Sequence, residues 1–272
     1  MQEAKNIIQQ ADVVVLFTGA GMAADSGVAT FRGHNGVAET YPVLEQKNVT
    51  YASLTTQHMF HTNPNLAWAF HGHCYNVYKD TTPHTGYGML LELMQKKLDY
   101  FVVTSNVDSA HQKSGLDASK VYEVHGRIHT FQCMQCDAVW KDEHMRFDVD
   151  TTTFTLNSEL PRCACGALAR PNFMMFGDTH FNKTETQEQS RRFTTFMKKY
   201  DQGNHKIACI EIGAGETVPT IRMMGEFIHD RVPGATLIRV NPTDTNKHDS
   251  RIVTVKMGAL DAIKNLTMDC AQ

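Results

Sequence analysis

The sequence lacks several features, and each absence narrows its function. No apolar run approaches the roughly 20 residues that a membrane-spanning helix needs, so no such helix is expected. There is no basic excess: 26 Lys and Arg face 29 Asp and Glu, a net charge of −3, which offers nucleic acid no attracting field. Residues 1–10 are polar and carry no signal-peptide core, so a cytoplasmic setting is expected. Internal repeats and low-complexity segments are absent as well. The seven cysteines are odd in number, and four fall in two close pairs rather than as a scattered disulfide framework. That usage fits a reducing compartment and a metal site.

What remains is a chain of 272 residues, 42% hydrophobic and 20% charged, long enough for a full α/β core and a small second module. Short apolar runs recur at Val13–Phe17, Tyr100–Thr104, Val121–Val124, Ile207–Ile212, Thr236–Val240 and Ile252–Val255. Their nearly continuous apolar character predicts strands covered on both faces, hence a parallel sheet. Helical patterns at Gly88–Lys97 and Glu216–His229 alternate with them, which marks a doubly wound α/β domain. Two stretches break this rhythm. Val28–Asn65 is polar and turn-rich, and Phe131–Arg170 carries the cysteine pairs; both read as insertions. Asp178–Asn204 reads as a surface helix anchored by Phe196 and Met197.

Gly19-Ala20-Gly21-Met22-Ala23-Ala24 follows the first strand directly. It predicts a tight turn into a helix start, where backbone N–H groups can approach a pyrophosphate. The same glycines could serve strand-to-helix packing alone. An acidic residue ending a second strand, which would hold the ribose in a hydride-transfer enzyme, is missing. Phe31 and Arg32 could wall off a nicotinamide and reach a phosphate, or be one buried and one surface residue. Ser105, Asn106 and Asp108 lie at the tip of a predicted central strand. There an amide and a carboxylate can orient a ribose and a carboxamide; an Asx-turn would explain either one alone. His125 ends the next apolar run and is the candidate general base, with His111 and His129 as competitors.

Cys133-Met134-Gln135-Cys136 and Cys163-Ala164-Cys165-Gly166 offer four thiolates in two close pairs. That set fits closed, structural, tetrahedral zinc; a redox pair would leave two cysteines unexplained. Cys74, Cys209 and Cys270 read as buried or bystander thiols.

In this order the glycine loop, Phe31-Arg32, Ser105-Asn106-Val107-Asp108, His125-Gly126 and the cysteine pairs resemble the sirtuins. Arg170–Asp178 is similar to their substrate-strand segment, and Ile212-Gly213-Ala214-Gly215 and Val240-Asn241 to their later cofactor loops. The resemblance implies an α/β fold: a Rossmann-like doubly wound parallel sheet with a small inserted zinc-ribbon module and a helical insertion. The Rossmann part would comprise residues 1–32, 73–130 and 171–272, the helical insertion 33–72 and the zinc module 131–170. It implies an NAD-dependent protein-lysine deacylase with structural zinc, acting on acylated-lysine proteins or peptides. Nicotinamide leaves, the acyl oxygen captures the ribose C1′, and a His deprotonates the ribose hydroxyl that attacks next. By position His125 is that base, and Asn106 and Asp108 bind the nicotinamide ribose and carboxamide. Gly19, Ala20, Gly21, Ala24, Phe31, Arg32, Ser105, Gly213, Gly215, Asn241 and Ala259 form the cofactor site. Substrate adds as a β-strand between Phe176-Gly177 and the segment near Gly215–Pro219.

The sequence departs from the family at Ala23, at Ala29-Thr30, at Asp178 and at Ala214-Gly215-Glu216, where hydroxyls that meet the ribose are usual. His71 and Cys74 stand where the dicarboxyl-acyl subgroup has Tyr and Arg, which argues against succinyl or malonyl preference. The alternatives are mono-ADP-ribosyl transfer or NAD hydrolysis on the same scaffold, or a catalytically silent NAD sensor.

Overall fold

The computed structural model describes residues 1–30, 36–142, 144–243 and 245–267. The chain divides into two compact units. One comprises Met1–Gly27, Thr82–Val124 and Thr186–Gln272, the other Val28–Thr81 and His125–Glu185.

The first unit is built on six strands, one at each predicted apolar run. They are β1 (Val13–Thr18), β2 (Asp99–Thr104), β3 (Val121–Glu123), β4 (Ile207–Ile212), β5 (Ala235–Val240) and β6 (Val253–Val255). All pairings are parallel, and the spatial order is β3-β2-β1-β4-β5-β6. Alternate residues of β1 enter opposite cores. Val14 and Leu16 pack with the helices Gln2–Gln10, Gly86–Gln95 and Ala259–Thr267. Val13, Val15 and Phe17 pack with Phe193, Phe196 and Tyr200 of Thr184–Tyr200 and with Ile221 and Ile228 of Thr220–Arg231. The sheet is doubly wound because both faces are apolar and both are covered. Chain order reverses between β1 and β4, and ligands of open α/β sheets bind at such a switch point.

In the second unit the helix Pro64–Asp80 starts on Asn63, whose side chain accepts the Leu66 N–H at 3.2 Å, with Pro64 in the first turn. Six consecutive residues, Ala67 to Gly72, are buried. Trp68 stacks on Phe147 at 4.9 Å and donates its indole N–H to the Ala169 carbonyl at 3.0 Å. The strand Gly126–Cys133 pairs antiparallel with Val139–Lys141 and Ala169–Phe173. These connections move the expected boundaries. The helix continues through Asp80, so residues 73–81 belong with the second unit. Residues 125–130 and 171–185 also belong there, because the two longer strands pair with each other. Among the described residues no helix is long and apolar enough to cross a membrane.

Two buried histidines make stability pH-dependent. Burial pushes His111 down to about 3, aided by His84, and the ring shares a 2.9 Å bond with Thr18 Oγ1. Burial likewise pushes His71 down to about 4, and the ring stacks on Phe60 at 5.3 Å. A folded-state pKa below the unfolded value of about 6.5 means that the unfolded chain binds more protons in acid. Their contribution is therefore complete above about pH 6.5 and declines toward pH 3–4, by about 1.4 kcal/mol per histidine for each pH unit. The urea midpoint should fall between pH 7.5 and 5, and His111→Gln should flatten the decline. Equal slopes for the two proteins would remove His111 from this account.

Candidate functional site

β1 and β4 end side by side, and their loops interlock at the switch point. The Gly19 N–H donates to the Ile212 carbonyl and the Gly21 N–H to the Gly213 carbonyl, each at 3.0 Å. Gly213 has φ +66, and a Cβ there would sit 2.4 Å from Met22 N and 2.5 Å from Gly21 Cα. Only glycine permits both the left-handed backbone and this approach. Gly213→Ala is expected to cost at least about 1–3 kcal/mol in backbone strain. An unchanged urea midpoint would show that the loops can part freely.

The expected helix start after the glycines is a correction: two 3₁₀ turns follow, Ala20–Met22 and Ala24–Ser26, and among the described residues as far as Thr30 there is no α-helix. The physical reason is that the Gly21 N–H is spent on Gly213, which pins the loop before a helical turn can propagate. Ala20 and Ala24 are exposed on this loop, and Gly19 is buried beneath it. Asp25 Oδ2 accepts the Leu260 N–H at 2.8 Å, tying the loop to the helix Ala259–Thr267; the Ala259 side chain itself is buried in the core. Phe31 and Arg32 lie outside the described residues, as does Cys270.

β2 stops at Thr104, so the expected alternation does not carry through Asn106 and Asp108. Instead Asp108 Oδ1 accepts the Ala110 N–H at 2.8 Å, an Asx-turn. The carboxylate is buried, and burial raises its pKa above the ordinary value. The Asn106 N–H donates to Thr104 Oγ1 at 3.1 Å, and its side-chain Nδ2 is buried with no hydrogen-bond partner. Buried amide donors are rarely left so, and this one is available to a ligand. Ser105 donates its N–H to the Thr18 carbonyl at 3.0 Å, which joins the tips of β1 and β2.

Asn241 is fully buried after β5. Its Nδ2 donates to the Ala214 carbonyl at 2.9 Å, and its Oδ1 accepts the Thr243 N–H at 3.1 Å. Both ends of the amide therefore shape the loops after β4 and β5. Glu216 also finds a use there: it accepts from Asn246 Nδ2 at 2.9 Å and from Arg222 Nη1 at 3.3 Å. Behind these loops Arg239 and Glu211 form a buried two-bond ion pair at 2.6 and 3.0 Å. Gly215 is half-buried between the anchored residues.

In the second unit His125 is half-buried, and its carbonyl accepts the Met174 N–H at 2.7 Å. Gly126 follows at φ +77, where a Cβ would lie 2.4 Å from the Asn172 carbonyl. The rival histidines are engaged elsewhere. His111 is buried on Thr18, and His129 Nε2 sits 3.2 Å from the Tyr75 carbonyl with its ring against Tyr75. Beyond the strand Ala169–Phe173, Met174 and Phe176 are exposed, and the Phe176 N–H reaches the Thr55 carbonyl at 3.0 Å. Asp178, a departure from the family, pairs with buried Arg170 at 2.7 Å; the sequence reading did not foresee this.

The four cysteines converge. Cys133 and Cys165 Sγ are 3.6 Å apart, Cys136 and Cys163 3.7 Å, and Cys136 and Cys165 3.8 Å. Tetrahedral zinc with Zn–S bonds of about 2.3 Å sets thiolates about 3.8 Å apart, so the set fits that ion without rearrangement. Burial raises the Cys133 pKa, but N–H donation from Cys136 and Gln135, each at 3.3 Å, outweighs it and brings the thiol to about 7. Cys74 and Cys209 are buried, and burial raises both to about 12.

The sequence model of the Sir2 family matches residues 19–199, and the chain belongs to that family. It is 31% identical over 246 residues to the NAD-dependent protein deacylase of Thermococcus sibiricus, covering 90% of this chain and 86% of that protein. The NAD-dependent protein deacylase of Aquifex aeolicus is 28% identical over 234 residues, 85% of this chain and 84% of its own. A solved Sir2–p53 peptide–NAD+ complex superposes with a TM-score of 0.72 at 23% identity, covering 99% of this chain and 98% of that one.

Proposed function

We propose that this chain is an NAD-dependent protein-lysine deacylase, releasing nicotinamide and O-acyl-ADP-ribose. The observation that carries the reading is the interlocked pair of glycine loops at the switch point of a β3-β2-β1-β4-β5-β6 sheet. The residues fit the co-substrate. An orphaned buried amide on Asn106 and a buried carboxylate on Asp108 are donor and acceptor for a carboxamide and a ribose. When bound, NAD supplies an anomeric carbon made electrophilic by loss of nicotinamide.

Gly19, Ala20, Gly21 and Ala24 present the loop to the dinucleotide, with Phe31 and Arg32 next to them in sequence. Ser105 fixes the strand tips, while Gly213, Gly215 and Asn241 shape the far loops and Ala259 backs the first one. Asn106 and Asp108 orient the nicotinamide ribose, and His125 takes a proton from its hydroxyl. The partner is an acylated-lysine protein or peptide, adding as a strand along the Met174–Phe176 segment. Zinc on Cys133, Cys136, Cys163 and Cys165 is structural, since four protein ligands leave no open position. Reduced metal-binding thiols and the small negative net charge support a cytoplasmic protein that does not act on nucleic acid.

Mass analysis of products from NAD and a panel of acyl-lysine peptides tests this. Acylated ADP-ribose is the expected product, with acetyl preferred over succinyl because buried His71 and Cys74 offer no cation. Label from NAD retained on protein would establish ADP-ribosyl transfer instead. Binding without nicotinamide release would make the chain a sensor.

A further inference from the structure

A second set of potential metal donors lies in the first unit, at the C-terminal end of the helix Thr220–Arg231. His229 and Asp230 come from its last turn, and Asp249 from the turn preceding β6. One donor atom from each lies within 4.8 Å of the others. The decisive observation concerns His229, which is 4% exposed. Its Nδ1 lies 3.3 Å from the Ala235 carbonyl, which can only accept, so the proton belongs on Nδ1. Nε2 is then a bare lone pair, buried without a hydrogen-bond partner and 3.7 Å from Asp249 Oδ2. A metal-bound imidazole is held in this way, one nitrogen donating to a carbonyl and the other turned to the ion.

An imidazolium–carboxylate pair explains the arrangement less well. The 3.7 Å separation is too long for a hydrogen bond, and Asp249 already holds Arg251, with Nε at 2.8 Å. The helix end also favours a cation, because its last carbonyls carry partial negative charge and an Asp there adds to it. We propose that His229, Asp230 and Asp249 bind a divalent transition-metal ion of zinc-like chemistry, at a site separate from the four cysteines. Imidazole and carboxylates suit zinc, whose ligand atoms at about 2.0–2.2 Å lie about 3.3 Å apart. Closing from 4.8 Å requires about 1.5 Å of movement, within reach of side-chain rotation by partly exposed carboxylates. His248 Nε2 is 3.1 Å from Asp230 Oδ2, and its side chain is 45% exposed; by turning it can supply a fourth donor.

The test counts zinc per chain by elemental analysis of the full protein, after loading and removal of free metal. The wild type is expected to hold two ions, and Asp249→Asn and His229→Asn one each. Asn at 229 retains an N–H donor for the Ala235 carbonyl while deleting the Nε2 ligand. Affinity for the second ion, titrated with zinc alone, should fall by at least roughly 10–100-fold in both. Arg251→Ala, which removes a competitor for Asp249, should tighten it. One ion in the wild type, or a second ion retained by both variants, overturns the proposal. If His229→Asn fails to fold, Asp249→Asn decides alone: an unchanged count overturns the proposal, and a loss of one ion supports it.

Discussion

Alanine at His125 should abolish acyl transfer while leaving dinucleotide binding within a few-fold of wild type. A positioned general base contributes roughly 10²–10⁴-fold to its step, so product formation should fall by at least that factor. The assignment rests on position. His111 is buried on Thr18 with its pKa near 3, and His129 is occupied with the Tyr75 carbonyl and ring. His125 instead accepts the Met174 N–H on its carbonyl at 2.7 Å and precedes a glycine whose φ of +77 and contact with Asn172 permit no side chain. Acyl-ADP-ribose formation under saturating NAD, together with a separate NAD titration, checks the claim. Turnover within threefold of wild type would remove His125 from the mechanism. Loss of NAD affinity in parallel would make it a binding residue.

The parts of this molecule that were legible in its sequence share a cause. The six strands were readable because strands buried on both faces are apolar at nearly every position: Val13–Phe17 is so throughout, and Ile207–Ile212 at all but Glu211, whose charge Arg239 pairs. The four cysteines were readable because metal chemistry fixes residue type and local spacing together. The helix Pro64–Asp80 was not, since six consecutive buried positions erase the one-sided periodicity of a surface helix. Its signal was the Asn63-Pro64 start. Two short helices before it begin on a Thr50–Ser53 capping box and on the Thr56 cap, local cues that no hydrophobic period accompanies. The run of two short 3₁₀ turns in the glycine loop depends on Gly213, a tertiary contact almost two hundred positions away. The Arg170–Asp178 and Arg239–Glu211 pairs were likewise invisible, because each joins residues that only the fold brings together.

Removing zinc should have the second large effect, and it should be confined at first to the second unit. Structural zinc sites of this kind contribute an apparent binding free energy of about 10–16 kcal/mol at neutral pH. The strand Val139–Lys141, which follows the first cysteine pair, is exposed or half-exposed throughout and has little burial of its own to replace that. Cys133→Ala, or chelation of the wild type, should therefore release one equivalent of zinc from the four-cysteine site. Amide exchange protection should be lost across Gly126–Cys133 and Ala169–Phe173, while β1, β2 and β4 remain protected, since both their cores lie within the first unit. Catalysis should fall as well, although the metal takes no part in the chemistry. The strand that begins at Gly126, directly after His125, ends on Cys133, so losing the metal frees the strand next to the proposed base. A Cys133→Ala protein that kept its zinc and its exchange pattern would refute the site. One that lost the metal but kept full activity would show that His125 is held by other means.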